Sequence, residues 1–514
     1  MRGTGELHLR AISAVFLLMT TACAGSPPPP IEVCNGKDDN GDGWTDEGFP
    51  DLDGDDVADC IDAVCEPAHA DVAGPVICEG FAPEVWQESG FDAALETVLS
   101  IECPPGACGA AVGVLVVDDF AAGLPLVVAS LTAGSNDPLY WMNVFDRGGT
   151  RLASFGHGAA PWLVRPDRDW ILVDIDAPNE LFEGHAWIQL VDLSGSEVFV
   201  GPTVDIPTPG AQGPPFRGTD GIQRMLTGEI LWSLVDGSAL VPTTAPPNWL
   251  PRRGLARVAD LDLDGTPDLV VGGVVYDEEL HERFALDPDR EALVTTLFLQ
   301  LDEDPAAELA VLAPARLSLF EHDGAPIASF DAPIPELYDS PCQADFDGDG
   351  EEEIAFAADR PGADPTLVTL LELDGSVAWL GEIGWHPPGG CAGFDFDGDG
   401  AWELVQVAGP DLFVLDGRTG AERFHYEGGG WLSAPIITDL DGDGSAEILV
   451  ARGIEDPAVL VFGSAEDLWT PGARRDWPLR QWTGTETLPD GTLPATPPTP
   501  WLDGHGLNSP NPGD

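Results

Sequence analysis

The clearest chemistry in this sequence lies in carboxylates at fixed spacing. The pattern Asp-x-Asp-x-Asp-Gly-x-x-Asp/Glu occurs intact four times. Its carboxylates are Asp260, Asp262, Asp264 and Asp268; Asp345, Asp347, Asp349 and Glu353; Asp395, Asp397, Asp399 and Glu403; and Asp439, Asp441, Asp443 and Glu447. Hard cations such as calcium take roughly six to eight oxygens at about 2.3–2.6 Å. Side chains at positions 1, 3 and 5 of a tight loop converge on one point, and glycine at position 6 permits the sharp turn. Position 7 offers a backbone carbonyl (Thr266, Glu351, Ala401 and Ser445), and the carboxylate at position 9 closes the cage. Four carboxylates this close repel one another unless a cation sits among them. The alternative is a set of acidic surface turns without metal.

A degenerate copy, Gln300-Leu-Asp302-Glu-Asp304-Pro305-Ala-Ala-Glu308, has lost the first Asp and the Gly. It is expected to keep the turn, with no metal or a weak one. The position-9 residues 268, 308, 353, 403 and 447 are 40, 45, 50 and 44 residues apart.

These loops must be positioned by strands. In the unit around Glu403, residues 403–408, 412–415 and 421–426 read as strands separated by Gly-Pro-Asp and Asp-Gly-Arg-Thr-Gly turns. With a strand ahead of the loop, each repeat holds about four strands, the length of a β-propeller blade. Weaker traces of the rhythm occur at Gly113–Ala129 and Trp170–Phe182. The expected fold is therefore all-β: a propeller over 109–465 with seven blades, or eight as the alternative. Residues 66–108 are expected to form a Cys-containing connector. Residues 466–514, with Trp469, Trp477, Trp482 and Trp501, form a Trp/Pro-rich C-terminal segment expected to pack on a propeller face or bind a partner. The repeats over 251–463 resemble FG-GAP/VCBS repeats, the calcium-loop blades of integrin-α-like propellers. That resemblance implies several Ca2+ ions and a loop joining the first two strands of each blade.

The same nonapeptide recurs near the N-terminus, in a unit over 32–65. Asp38, Asn40, Asp42, Trp44 and Asp46 form one copy; Asp51, Asp53, Asp55, Asp59 and Asp62 form a second, in which Asp56 replaces the glycine. Too short to bury a core, such a unit would depend on calcium and disulfides for its fold; the alternative is a disordered acidic stalk. It resembles the metal-binding Cys-Asn-Gly-x-Asp-Asp motif of secreted bacterial proteins and the thrombospondin type 3 repeats. The family's partner cysteine is replaced by Gly41, which leaves Cys60 as a candidate partner of Cys34.

Arg2 and Arg10 precede the apolar run 11–22, which suits a signal peptide and is too short to span a bilayer. Thr20-Thr21-Ala22-Cys23 resembles a bacterial lipobox, which implies lipid attachment at Cys23, a Pro-rich tether over 23–31 and a cell-envelope or surface location; cleavage nearby and secretion is the alternative. Eight cysteines besides Cys23 fit an oxidising compartment. Cys103-Pro-Pro-Gly-Ala-Cys108 is a tight loop and the leading candidate for one disulfide. Cys342 and Cys391 precede their loops by three and four residues. Opposite parity points their side chains toward each other's blades; an inter-blade disulfide and two buried thiols are both compatible with this.

The chain carries 89 acidic against 22 basic residues, a net charge of −67. Nucleic-acid binding needs Lys/Arg stripes, so such a partner is excluded. Only one lysine, Lys37, is present, which leaves lysine chemistry almost without a candidate. His157, His185, His386 and His425 are the acid/base candidates, but no nucleophile motif accompanies them. The function expected is that of a non-catalytic, calcium-stabilised surface protein that binds a protein or glycan partner. A propeller enzyme acting on extracellular polysaccharide is the alternative.

Overall fold

The computed structural model describes residues between 93 and 502. Residues 1–92, 503–514 and several segments between, the longer being 102–110, 133–139, 165–170, 177–183, 241–255, 287–294, 335–340 and 470–492, lie outside the described residues. The N-terminal acidic unit, Cys23, Cys34, Cys60, Cys103, Cys108, Asp443, Trp477 and Trp482 fall there. All described residues belong to the second of two units, 1–90 and 91–514.

The described chain is all-β apart from one short 3-10 turn at Pro500–Leu502. Its strands form antiparallel sheets, each a β-propeller blade. Seven sheets use strands consecutive in sequence: blade 1 over 111–157, blade 2 over 162–206, blade 3 over 212–240, blade 4 over 256–285, blade 5 over 295–331, blade 6 over 342–383 and blade 7 over 388–427. An eighth joins the two ends of the fold. Ile436–Thr438, Glu447–Arg452 and Ala458–Ser464 are completed by Ala93–Ser100, which pairs antiparallel with Ala458–Ser464. Seven is thus the count of contiguous repeats, and the ring-closing sheet brings the total to eight. The expected connector over 66–108 therefore contains a propeller strand. That strand has no loop motif of its own, and its partner lies at the other end of the chain.

The predicted strands around Glu403 are found at Glu403–Ala408, Asp411–Leu415 and Glu422–Glu427. The upstream traces fall on Ala111–Asp119, Leu124–Thr132 and Ile171–Asp176. Second and third strands of the later blades are almost wholly apolar and buried, as in Glu403–Ala408 and Ala458–Ser464. Both faces of each sheet are covered by neighbouring blades, so the clean inside–outside alternation of a one-sided sheet is lost. Outermost strands mix exposed and half-buried residues instead, as Glu422–Glu427 does.

Cys342 and Cys391, both buried, form a disulfide between the innermost strands of blades 6 and 7, with Cα atoms 6.0 Å apart. The opposite parity of the two positions turns one side chain forward and the other back. The bridge closes a loop with a sequence separation of 49, which constrains the unfolded chain by about 4 kcal/mol. Replacing both cysteines by alanine is expected to lower the melting temperature by several degrees. An unchanged thermal melt of the double variant would refute this.

The C-terminal segment packs on the propeller where it is described. Trp501 lies edge-on to Phe298, 5.9 Å away, and donates its indole N–H to the Pro305 carbonyl at 3.1 Å. Trp469 is buried against Phe396, with ring centroids 4.6 Å apart.

Candidate metal centres

Each nonapeptide joins the first and second strands of its blade: 260–267 precedes Asp268–Val271, and the same holds at 345, 395 and 439. The loops fold by a common set of hydrogen bonds from backbone to carboxylate. The position-2 N–H donates to the position-9 carboxylate in all five copies: Leu261 to Asp268, Leu301 to Glu308, Phe346 to Glu353, Phe396 to Glu403 and Leu440 to Glu447. The position-6 glycine N–H donates to the position-1 Asp at 2.9–3.1 Å in loops 260–268, 345–353 and 395–403. Position 7 donates to position 5 at 2.8 Å in each of these three. Gly265, Gly350 and Gly400 have φ of 84°, 92° and 82°, which explains the glycine at position 6. Position 4 is also left-handed: Gly348 and Gly398 occupy it in two loops, and Leu263, at φ 59°, in the first.

One ligand oxygen from each of Asp345, Asp347, Asp349 and Glu353 lies within 4.8 Å of the others. The same distance groups Asp260, Asp262 and Asp264; Asp395, Asp397 and Asp399; and Asp302, Asp304 and Glu308. The position-9 side chains are 0–5% exposed. Burial pushes Glu353 up to about 8, with Asp347 adding to it. Burial likewise raises Asp397 to about 7 and Asp268 to about 6, and drives Glu403 upward. Asp260, Asp345 and Asp395 are raised for the same reason.

Asp260 Oδ1 and Glu353 Oε1 are buried and accept no hydrogen bond. A buried carboxylate oxygen without a partner is costly. Converging hard oxygens, one of them buried and unsatisfied, fit a divalent cation such as Ca2+. In the degenerate loop the Gln300 amide takes over part of this task. It donates to the carbonyls of Asp302, at 2.8 Å, and Asp304, so the turn survives without its first Asp. Glu308 Oε1 stays unpartnered there.

Arginines from outside the motif also enter the loops, and the motif did not reveal them. Arg283 pairs with Asp268 and, at 2.8 Å, with Asp262. Arg423 lies 2.8 Å from Asp397 and 3.3 Å from Glu403, and also pairs with Asp416. Arg418 pairs with Asp399 and donates to the Asp347 carbonyl at 3.0 Å, so it joins loops 395–403 and 345–353. Two of these three lie in fourth strands, 15 and 20 residues after position 9. The two offsets differ, so no fixed spacing marks these arginines in the sequence.

In the fourth loop, Asp439 and Glu447 are buried and Asp441 is exposed; the Ser445 hydroxyl donates to the Trp469 carbonyl at 3.4 Å. Of the histidines, His386 precedes the innermost strand of blade 7 by two residues, at the end away from the acidic loop. It lies edge-on to the half-exposed Trp431, 6.0 Å away. His425 stacks on Phe413 at 4.4 Å and is 3.7 Å from Asp411. His157 and His185 lie in strands of blades 1 and 2. The candidates are thus spread over three blades.

No protein-family profile matches the chain, and no curated protein sequence matches it. Solved structures do. The biofilm matrix protein Bap1 of V. cholerae aligns with a TM-score of 0.65 at 14% identity, covering 82% of this chain and 99% of that one. The rhamnogalacturonan lyases YesW and YesX align with TM-scores of 0.51 and 0.52 at 15% and 14% identity, each covering 71% of this chain and 75% of theirs. At such identities the likeness establishes the fold: the protein is a β-propeller.

Proposed function

We propose that this is a non-catalytic, calcium-stabilised cell-envelope or surface protein whose propeller presents a binding face to a protein or glycan partner. The observation that carries the reading is the buried, unpartnered Glu353 Oε1 within a converging four-carboxylate cluster. It assigns the most crowded carboxylates a structural task, with Ca2+ held by Asp345, Asp347, Asp349 and Glu353 and by the corresponding sets at 260–268, 395–403 and 439–447. The repeats are then of FG-GAP/VCBS type, with further calcium in the acidic unit at 32–65. The lipobox-like Cys23 supplies the membrane anchor. On the side away from the acidic loop of blade 7, Trp431 beside His386 offers an indole face of the kind that stacks on sugar rings. A fold shared with a protein described as a biofilm matrix component agrees with a surface role.

The rival reading is an enzyme acting on extracellular polysaccharide. It is favoured by the His425–Asp411 pair and by the fold shared with the rhamnogalacturonan lyases. Both readings are tested by applying the calcium-loaded protein to a glycan array and to soluble polysaccharides. Saturable binding, weakened by Trp431→Ala and leaving chain length unchanged, is the expected result. Chain cleavage abolished by His425→Ala would overturn the non-catalytic reading.

A further inference from the structure

We propose that in blades 4, 6 and 7 one residue, at a bulge in the fourth strand, sets how much the acidic loop depends on calcium, and that of these three loops 345–353 is the one whose position-9 carboxylate has no guanidinium in place of the metal. This rests on the calcium reading above.

The bulge recurs at the same register. In blade 4 it falls between the pairs Tyr276↔Glu282 and Val275↔Phe284, and holds Arg283. In blade 7 it falls between Leu415↔Glu422 and Val414↔Phe424, and holds Arg423. In blade 6 it falls between Leu371↔Val377 and Leu370↔Trp379, and holds Ala378.

The position-9 carboxylates differ accordingly. Leu261 N–H takes one oxygen of Asp268 and Arg283 the other. Phe396 N–H takes Glu403 Oε2, and Arg423 lies 3.3 Å from Oε1. Phe346 N–H takes Glu353 Oε2, but Ala378 offers nothing to Oε1, which is buried and unpartnered. Of the arginines, Arg418 meets loop 345–353 at the Asp347 carbonyl, 3.0 Å away, and pairs with Asp399 of the following loop. Its neighbours across the blade include Glu372, itself raised first by burial and then by Asp347 and Asp349. The cluster geometry follows the same division. Glu353 joins Asp345, Asp347 and Asp349 within 4.8 Å, whereas the arginine-paired loops group their three aspartates.

A guanidinium among the ligands acts in two directions. It neutralises part of the repulsion when no metal is bound, so the loop holds together. It also repels an incoming dication and occupies the oxygens that would bind it. Loops 260–268 and 395–403 are therefore tethered-cation loops of weaker calcium affinity, and loop 345–353 depends on the metal.

The test uses the whole protein, stripped of metal or loaded with calcium, with Arg423→Gln, Arg283→Gln and Ala378→Arg. Melting temperature is read in both states, together with the calcium-binding isotherm. Arg423→Gln and Arg283→Gln are each expected to lower the metal-free melting temperature, enlarge the calcium-induced shift, and tighten one class of site by on the order of tenfold. Ala378→Arg is expected to raise the metal-free melting temperature and remove the tightest site. If that variant fails to fold, the two glutamine variants decide. A calcium-dependent wild type whose shift is the same in the glutamine variants overturns this proposal alone. A wild type indifferent to calcium overturns the metal reading and this proposal with it.

Discussion

Stripping divalent cations from the protein is expected to lower its melting temperature by on the order of 10 °C, and the stripped protein is expected to be more stable near about pH 5.5 than near about pH 8. Extracellular calcium modules bind with dissociation constants of about 10⁻⁴–10⁻³ M. At about 10 mM calcium each such site adds roughly 1.4–2.7 kcal/mol, and several sites act together. The pH dependence follows from the carboxyls without their metal. Glu353 is pushed up to about 8, Asp397 to about 7 and Asp268 to about 6, in each case first by burial. A carboxyl whose folded value lies above its unfolded value holds its proton more tightly when folded. Its contribution to stability is complete below the unfolded value of about 4 and is lost as pH rises through the folded value. Metal-free stability should therefore fall between about pH 4 and 8. Calcium binds only the ionised ligands, so it should restore most stability at the alkaline end and little at the acid end. Melts of stripped and calcium-loaded protein across this range check both effects. A stripped protein whose melting temperature stays flat or rises with pH would sink the account.

What the sequence revealed here was local. The nonapeptide spacing located the loops because their shared hydrogen bonds and left-handed turn fix residue types at positions 1, 5, 6 and 9. The 40–50-residue period located the blades because each blade buries its strands only against a neighbour. Parity brought Cys342 and Cys391 within reach of each other, and the structure decided between bridge and free thiols. The arginines were not legible, because Arg283 and Arg423 enter the loops from a strand fixed by a bulge, and motif spacing carries no record of a bulge. Nor did the aromatic content of the C-terminal segment tell Trp469 and Trp501 which blades to pack against. The eighth sheet was hidden most deeply. Ala93–Ser100 carries exposed Leu95 and Val98 and only one buried side chain, Leu99, so its pattern resembles no core strand.

That hidden strand carries the second large effect. A chain beginning at residue 91 is expected to keep the propeller, whereas one beginning at residue 102 is expected to lose it. The first cut leaves the ladder from Ala93↔Ser464 to Ser100↔Ala458 intact. The second removes that ladder, together with Leu99 and Ile101, both buried in the core cluster that includes Val114, Val459 and Val461. Burial of those two side chains alone is worth about 3–6 kcal/mol. The newly bared strand, Ala458–Ser464, is buried along its whole length, so its loss of cover exposes apolar surface as well as unpaired backbone. The shorter chain should therefore aggregate, or pair through that edge, and should melt more than about 10 °C below the longer one. Adding a peptide of residues 91–101 should recover part of the difference, because it supplies the missing strand without the covalent link. Equal melting temperatures for the two truncations would show that the ring does not need its first strand. If the shorter chain is the less stable but does not respond to the peptide, the strand's contribution lies in the chain connection rather than in the contacts it makes.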